Sequence, residues 1–203
     1  MSGFADLIEK ITTCTLCDLS KGRIQAVPGE GSITADVMFI GEGPGFYEDR
    51  DGRPFVGRAG KLLDRLLYSI GLRREDVFIT NMVKCRPPSN RDPLPVEINA
   101  CRPYLDLQIK TIDPKVVVTL GRYALTKFFP GESISKARGK SLKWESLILY
   151  PMYHPAAVLR NPKLYQVIEK DFAWLPSIIH EANQLHLGQR QDQPQQLNLF
   201  DSF

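Results

Sequence analysis

The chain has 203 residues, 43% of them apolar and 24% charged, with 26 Lys and Arg against 23 Asp and Glu for a net charge of +3. That length and apolar fraction predict one folded domain with a sizeable core, and no apolar run is long enough to span a bilayer. The positive charges are interleaved with acids, so a basic face can arise only through folding, and an anionic partner is permitted but not demanded.

In chain order, Asp36–Ile40 reads as a strand ending at Gly41, and Lys61–Ile70 has helical spacing that stops at Gly71. Val77–Thr80 is a second strand, followed by a helix over Pro95–Ile109 with Pro suited to its first turn. Lys115–Leu120 is a β-branched strand, Leu147–Tyr150 a fourth, and Leu164–Leu185 a long C-terminal helix. Continuous apolar strands alternating with helices predict an α/β fold whose parallel sheet is covered on both faces. In such sheets sites form at the carboxyl ends of strands, so Gly41-Glu42-Gly43-Pro44-Gly45, Asn81 and Tyr153-His154-Pro155 should converge.

Four cysteines are present: Cys14 and Cys17 as a Cys-x2-Cys pair, then Cys85 and Cys101. Four thiolates can complete a zinc site or a [4Fe–4S] cluster, and with only one close pair the spacing leans toward iron–sulfur while leaving zinc open. Disulfides are disfavoured. The first residues are polar and acidic without an apolar signal segment, so a cytoplasmic location with reduced thiols is expected.

The Gly41-Glu42-Gly43-Pro44-Gly45 turn superficially matches Gly-x-Gly of dinucleotide sites, but Phe46 stands where the last Gly is required and Pro44 removes an amide. Its glycines instead allow close approach of a flat ligand, with Glu42 pointing into a pocket. Phe55, in the Gly/Pro-rich loop Gly52-Arg53-Pro54-Phe55-Val56-Gly57, is poorly placed for a core and well placed to stack on a ligand ring, yet taken alone it reads equally as a hydrophobic plug.

Gly-Glu-Gly-Pro-Gly, Glu48-Asp49, Gly-Arg-Pro-Phe-Val-Gly-Arg-Ala-Gly, Asn-Met-Val-Lys-Cys-Arg-Pro-Pro and Tyr-His-Pro-Ala-Ala-Val-Leu-Arg occur here in order, with the four cysteines. Together they resemble the family 4, iron–sulfur uracil-DNA glycosylases. The resemblance runs from about Cys14 to the C-terminal helix. It implies a three-layer α/β/α sandwich with a four-stranded parallel sheet, and a [4Fe–4S] cluster on Cys14, Cys17, Cys85 and Cys101. It also implies a monomeric DNA-repair hydrolase that flips uracil from DNA and breaks its N-glycosidic bond.

By the same resemblance Phe55 stacks on the flipped ring, Asn81 reads the uracil edge, and His154 stabilises the leaving base. Gly41 and Gly43 would border the base. The turn holds no Asp such as other uracil glycosylases carry in this motif; Glu42 is the nearest carboxylate and is assigned to water or cation stabilisation. Glu48 is assigned to the pocket wall, and the two roles could be exchanged. Leu159 resembles the wedge that fills the vacated stack, and Arg160 the contact to phosphate or the opposite strand. Pro87–Arg91 would add backbone contacts. A covalent-capture branch carries a His in a loop matching Ser135–Lys140, which has none here, so turnover is expected. A non-catalytic iron–sulfur DNA-binding module is the rival reading.

Residues 1–187 thus form the predicted glycosylase domain, and residues 188–203 a disordered tail. That tail begins Gln-rich and ends Gln196-Leu197-Asn198-Leu199-Phe200-Asp201-Ser202-Phe203. Gln196, Leu197, Leu199 and Phe200 resemble the short motif by which bacterial repair proteins bind the sliding clamp. The eukaryotic and archaeal clamp box is a poorer match, with Ser202 where an aromatic is expected.

Overall fold

The structure, a computed structural model, describes residues 2–191, and every predicted strand in it is buried on both faces. Helices α1 (Ser2–Thr12) and α2 (Leu19–Gly22) precede strands β1 (Glu30–Gly31) and β2 (Val37–Gly41). Helices α3 (Phe46–Asp51) and α4 (Arg58–Ser69) lead into β3 (Phe78–Asn81), and α5 (Pro95–Ile112) leads into β4 (Val116–Leu120). Then come α6 (Arg122–Thr126), α7 (Ile134–Ala137), β5 (Leu142–Trp144), β6 (Leu147–Met152), α8 (Pro155–Arg160) and α9 (Tyr165–Gln191).

The sheet order is β1-β3-β2-β4-β6-β5. The expected four parallel strands form its centre, and β1 and β5 add antiparallel edges that make six. These edges span two and three residues, too short for a period-2 pattern to announce them. Strand β6 continues through Pro151, two residues beyond its predicted end. Because β5 pairs only with Leu147–Leu149, Pro151 has no ladder partner to lose on that side.

Alternating side chains build two cores. Val37, Phe39, Val118 and Tyr150 meet Leu63 and Leu67 of α4 and Phe172 of α9 on one face. Met38, Ile40, Val117 and Leu149 meet Leu105 and Ile112 of α5 on the other, completing the three-layer α/β/α sandwich. A third cluster, around Leu7, Ile11, Val83, Cys85 and Cys101, fastens α1 to α5. Helix α9 runs on to Gln191, so the first residues of the predicted linker, 188–191, are helical. The clamp-like segment lies outside the described residues.

Candidate active site

From β2 the chain steps to β3 on one side, then crosses to β4 and β6 on the other. Loops leaving the strand ends therefore diverge beside β2, which opens a crevice there. A cavity of about 350 Å³ occupies it, lined by Glu42, Phe55, Asn81, Asp92, His154 and Arg160 among others. The convergence expected from strand ends is what the structure shows. Gly43 also lines the cavity, while Gly41 lies directly behind it against Asn81 and Phe55.

Asn81 ends β3 in register with Gly41 and is buried. Its side-chain oxygen has no hydrogen-bond partner, one of two such buried side-chain atoms among the described residues. A buried acceptor left unpaired costs about 1–3 kcal/mol, so an unmet acceptor on a residue that lines a cavity calls for a donor. Directly behind Asn81, the Lys84 side chain is fully buried and donates to Thr80 Oγ1 (2.6 Å), Gln108 Oε1 (2.6 Å) and the Asn81 carbonyl (2.8 Å). Burial pulls its pKa down to about 8. Sequence reading missed this residue, because a lysine beside a cysteine carries no signal of burial.

Phe55 takes both of the places the sequence allowed it. It is 5% exposed and belongs to the core, yet it lines the cavity as well. The loop turns inward through a positive φ of 52° at Phe55, a conformation costing about 1–3 kcal/mol in a bulky residue. Two neighbours hold it there. Gly60 leaves room for the Phe55 carbonyl, which a Cβ would approach to 1.7 Å, and Arg74 donates to the carbonyls of Pro54 (2.6 Å) and Phe55 (3.1 Å). The Phe55 ring stacks loosely on His154, with centroids 5.4 Å apart and planes 28° apart.

His154 caps α8, its Nδ1 accepting from the Ala156 amide at 3.1 Å. Burial, aided by Arg160, lowers its pKa to about 4, so the imidazole is neutral near pH 7. With Nδ1 an acceptor, the proton sits on Nε2, which is therefore a donor.

The two carboxylates separate clearly. Glu48 is occupied: its oxygens accept from the amides of Val56 (2.9 Å), Gly57 (2.9 Å) and Gly45 (3.1 Å). Asp49, buried beside it, accepts from Ile24 (3.0 Å) and Gln25 (3.4 Å). Glu42 makes no comparable hydrogen bonds among the described residues. Burial raises its pKa and Asp92 adds to the rise, with Arg122 and Arg160 opposing. Asp92 is a pocket residue that sequence reading missed; nothing in Asn90-Arg91-Asp92 distinguishes it from a solvated turn.

Arg160 is exposed and reaches the cavity, whereas Leu159 is half-buried and packs on the core. Pro87, Asn90 and Arg91 also line the cavity.

The four cysteines, far apart in sequence, line one small cavity with Arg23, Lys84 and Tyr104. Among the described residues no three Cys, His, Asp or Glu stand close enough to hold a single metal ion. Four cysteine sulfurs lining one cavity are a donor set that suits zinc or an iron–sulfur cluster. Three donors already point at the sulfurs: Arg23 at Cys85 (2.9 Å), the Lys84 amide at Cys101 (3.3 Å) and the Leu16 amide at Cys14 (3.5 Å). Burial pushes the Cys101 thiol up to about 11 and raises Cys85 as well, so forming thiolates there calls for a bound cation.

Comparison with known proteins places the site in context. The family model described as "Uracil DNA glycosylase superfamily" matches residues 28–176. The chain is 52% identical over 182 residues to a type-4 uracil-DNA glycosylase of Sulfurisphaera tokodaii, covering 85% of this chain and 83% of that one. It is 46% identical over 176 residues to the type-4 enzyme of Thermotoga maritima (84% and 92%). A type-5 uracil-DNA glycosylase of Pyrobaculum aerophilum is 31% identical over 153 residues (66% and 67%).

Proposed function

The chain belongs to the uracil DNA glycosylase superfamily, in its type-4 branch, and we propose on that footing that it removes uracil from DNA by hydrolysing the N-glycosidic bond. The target nucleotide is flipped out of the stack and its base enters the crevice beside β2. The observation that carries this reading is the unpaired Asn81 oxygen. Uracil N3–H supplies the donor it lacks, and the Asn81 amide then donates to O4. Cytosine presents a bare N3 and an exocyclic donor, so both bonds fail and a buried acceptor stays unmet, a penalty that discriminates by orders of magnitude.

Phe55 supplies the ring face against which the base lies. As the C1′–N1 bond breaks, its electron pair goes to the uracil ring, and the Nε2–H of neutral His154 donates to O2, where charge collects. Glu42 faces the sugar, stabilises the developing cation and takes the proton of the water that adds to C1′. Glu48 holds the wall of this pocket through backbone amides. Arg160 meets phosphate, and Leu159, swinging from its half-buried position, fills the vacated stack.

Cys14, Cys17, Cys85 and Cys101 are assigned as ligands of a [4Fe–4S] cluster. Its contribution would be closure of the fold, tying the segment after α1 to the β3–α5 connection that follows Asn81; no step on the sugar needs it. The Gln196–Phe200 segment is proposed to bind a sliding clamp, on the strength of the sequence alone, with the protein acting as a cytoplasmic monomer. Among the described residues, no helix is long and apolar enough to cross a membrane.

Incubation with a uracil-containing oligonucleotide followed by alkali tests the activity. Strand scission at uracil supports turnover. A heat-stable adduct would replace it with covalent capture, and an intact strand without adduct would leave a DNA-binding module.

A further inference from the structure

The pocket does not use two aromatic residues that stand at its edge. Phe46 and Tyr47 open α3, directly after the pocket-lining Pro44 and Gly45, and are 47% and 50% exposed. Their rings meet edge to face with centroids 5.5 Å apart. The Arg86 guanidinium lies 5.2 Å from the Phe46 centroid and that of Arg50 lies 5.4 Å from Tyr47. Arg86 immediately precedes the pocket-lining Pro87, and its Nε donates to the pocket-lining Asn90 at 2.8 Å. The patch is therefore continuous with the mouth of the cavity.

Its position is also fixed. The Glu48 carboxylate binds Gly45, Val56 and Gly57, so the first turn of α3 cannot swing away. Asp49 and Glu48 turn their charge inward onto amides, and Asp51 pairs with Arg50 at 2.6 Å, which leaves Arg86 as the cation of the patch bonded only to a neutral amide. Two half-exposed rings beside a guanidinium offer stacking faces and a phosphate partner together, the combination by which proteins hold single-stranded nucleic acid.

We infer that Phe46, Tyr47 and Arg86 form a platform for an unpaired nucleotide next to the flipped one, so that this chain favours uracil in single-stranded DNA. The inference rests on the uracil-excision reading for the location of the strand. In a duplex each base beside the flipped one keeps one face on its next neighbour and the other against the slot that Leu159 fills, and offers none to the rings. Single-stranded DNA frees those faces, and the strand leaving the pocket past Gly45 and Pro87 passes over the patch.

The test compares wild type with Phe46→Ala/Tyr47→Ala on a single-stranded uracil oligonucleotide and the same strand in a duplex, measuring affinity by fluorescence anisotropy and excision by single turnover. Stacking on one base implies a roughly 5- to 100-fold weaker single-strand affinity in the variant. Duplex affinity and the saturated excision rate should stay within about twofold, and Phe46→Trp/Tyr47→Phe should restore single-strand binding. Equal losses on both substrates, or no loss on either, would overturn the platform. If wild type excises no uracil yet single-strand binding still depends on the two rings, the activity reading falls and the platform stands.

Discussion

Gly41 and Asn81 are register partners at the ends of adjacent parallel strands, so close that a Cβ on Gly41 would lie 2.4 Å from Asn81 Oδ1. The same Cβ would meet the Phe55 ring at 2.7 Å. One glycine therefore lets the edge-reading amide and the stacking ring share the floor of the pocket. Gly41→Ala must displace one or the other, and both are buried. A displacement near 1 Å at a reacting constellation costs about 10²-fold in rate. We expect single-turnover excision to fall by that order, and an unchanged rate would show that neither residue sets the geometry.

Asn81→Asp tests the reading of the base edge. The carboxylate keeps an acceptor for N3–H but loses the donor to O4, and its protonated form can match cytosine instead. Excision of uracil should fall while cytosine in a mismatch becomes a measurable substrate. Activity on uracil alone, at the wild-type rate, would remove Asn81 from the specificity role.

The pH dependence separates Glu42 from His154. Because His154 is already neutral well below pH 7, with a pKa of about 4, it contributes no titration to the rate across the neutral range. Glu42 must be ionised to take a proton, and burial with Asp92 raises its pKa. The acid limb of the single-turnover rate should therefore lie above the ordinary carboxylate range, and Glu42→Gln should abolish the limb together with most of the rate. His154→Ala should slow the chemistry by about 10²–10³ without moving the limb. Stability follows the opposite group. The folded pKa of His154 lies below its usual 6.5, so the unfolded chain binds more protons between about 6.5 and 4, and this contribution to stability is lost as pH falls through that window. Thermal melts of wild type and His154→Ala from pH 7 to 4 should converge toward acid; a constant gap would contradict the neutral ring.

Much of this was legible in advance, for physical reasons. Short β-branched runs such as Val116–Leu120, in which Thr119 is the one polar residue, read as strands buried on both faces, and their carboxyl ends locate the crevice. The roles proposed for Asn81, Phe55 and His154 rest on the resemblance. What could not be read were contacts made across the fold. Phe55 looked like a loop residue because nothing local reveals that Arg74 and Gly60 draw it into the core. Lys84 and Asp92 carried no assignment from the sequence, because burial and the partners that shape it come from distant elements.

The cysteines make a prediction independent of activity. Purified under anaerobic conditions, the protein should contain about four iron and four sulfide per chain and absorb broadly in the visible. Since closing the site links α1 to α5 and to the loop after Asn81, Cys85→Ala should reduce soluble yield and melting temperature before it reduces the specific activity of what folds. A colourless, fully active protein carrying one zinc would reverse the assignment.

The division of labour between Glu42 and Glu48 yields the sharpest test. Glu48 Oε2 faces the Gly45 amide while Oε1 takes two more amides, so Glu48→Gln must place an NH₂ group against at least one N–H donor. Losing one hydrogen bond to a charged acceptor costs about 1.5–3 kcal/mol. The loss should appear as a lower melting temperature and a weaker substrate affinity, because the released segment carries Gly45 and Val56 on either side of the pocket wall. Its maximal excision rate should change little. Glu42→Gln should do the reverse, leaving the melting temperature near wild type while the chemical step collapses. The pair forms a cross-check that a generic loss of charge cannot mimic, since both variants remove one carboxylate a few residues apart. If instead Glu48→Gln abolishes the chemical step without lowering the melting temperature, Glu48 is the group that faces the water and the two assignments exchange.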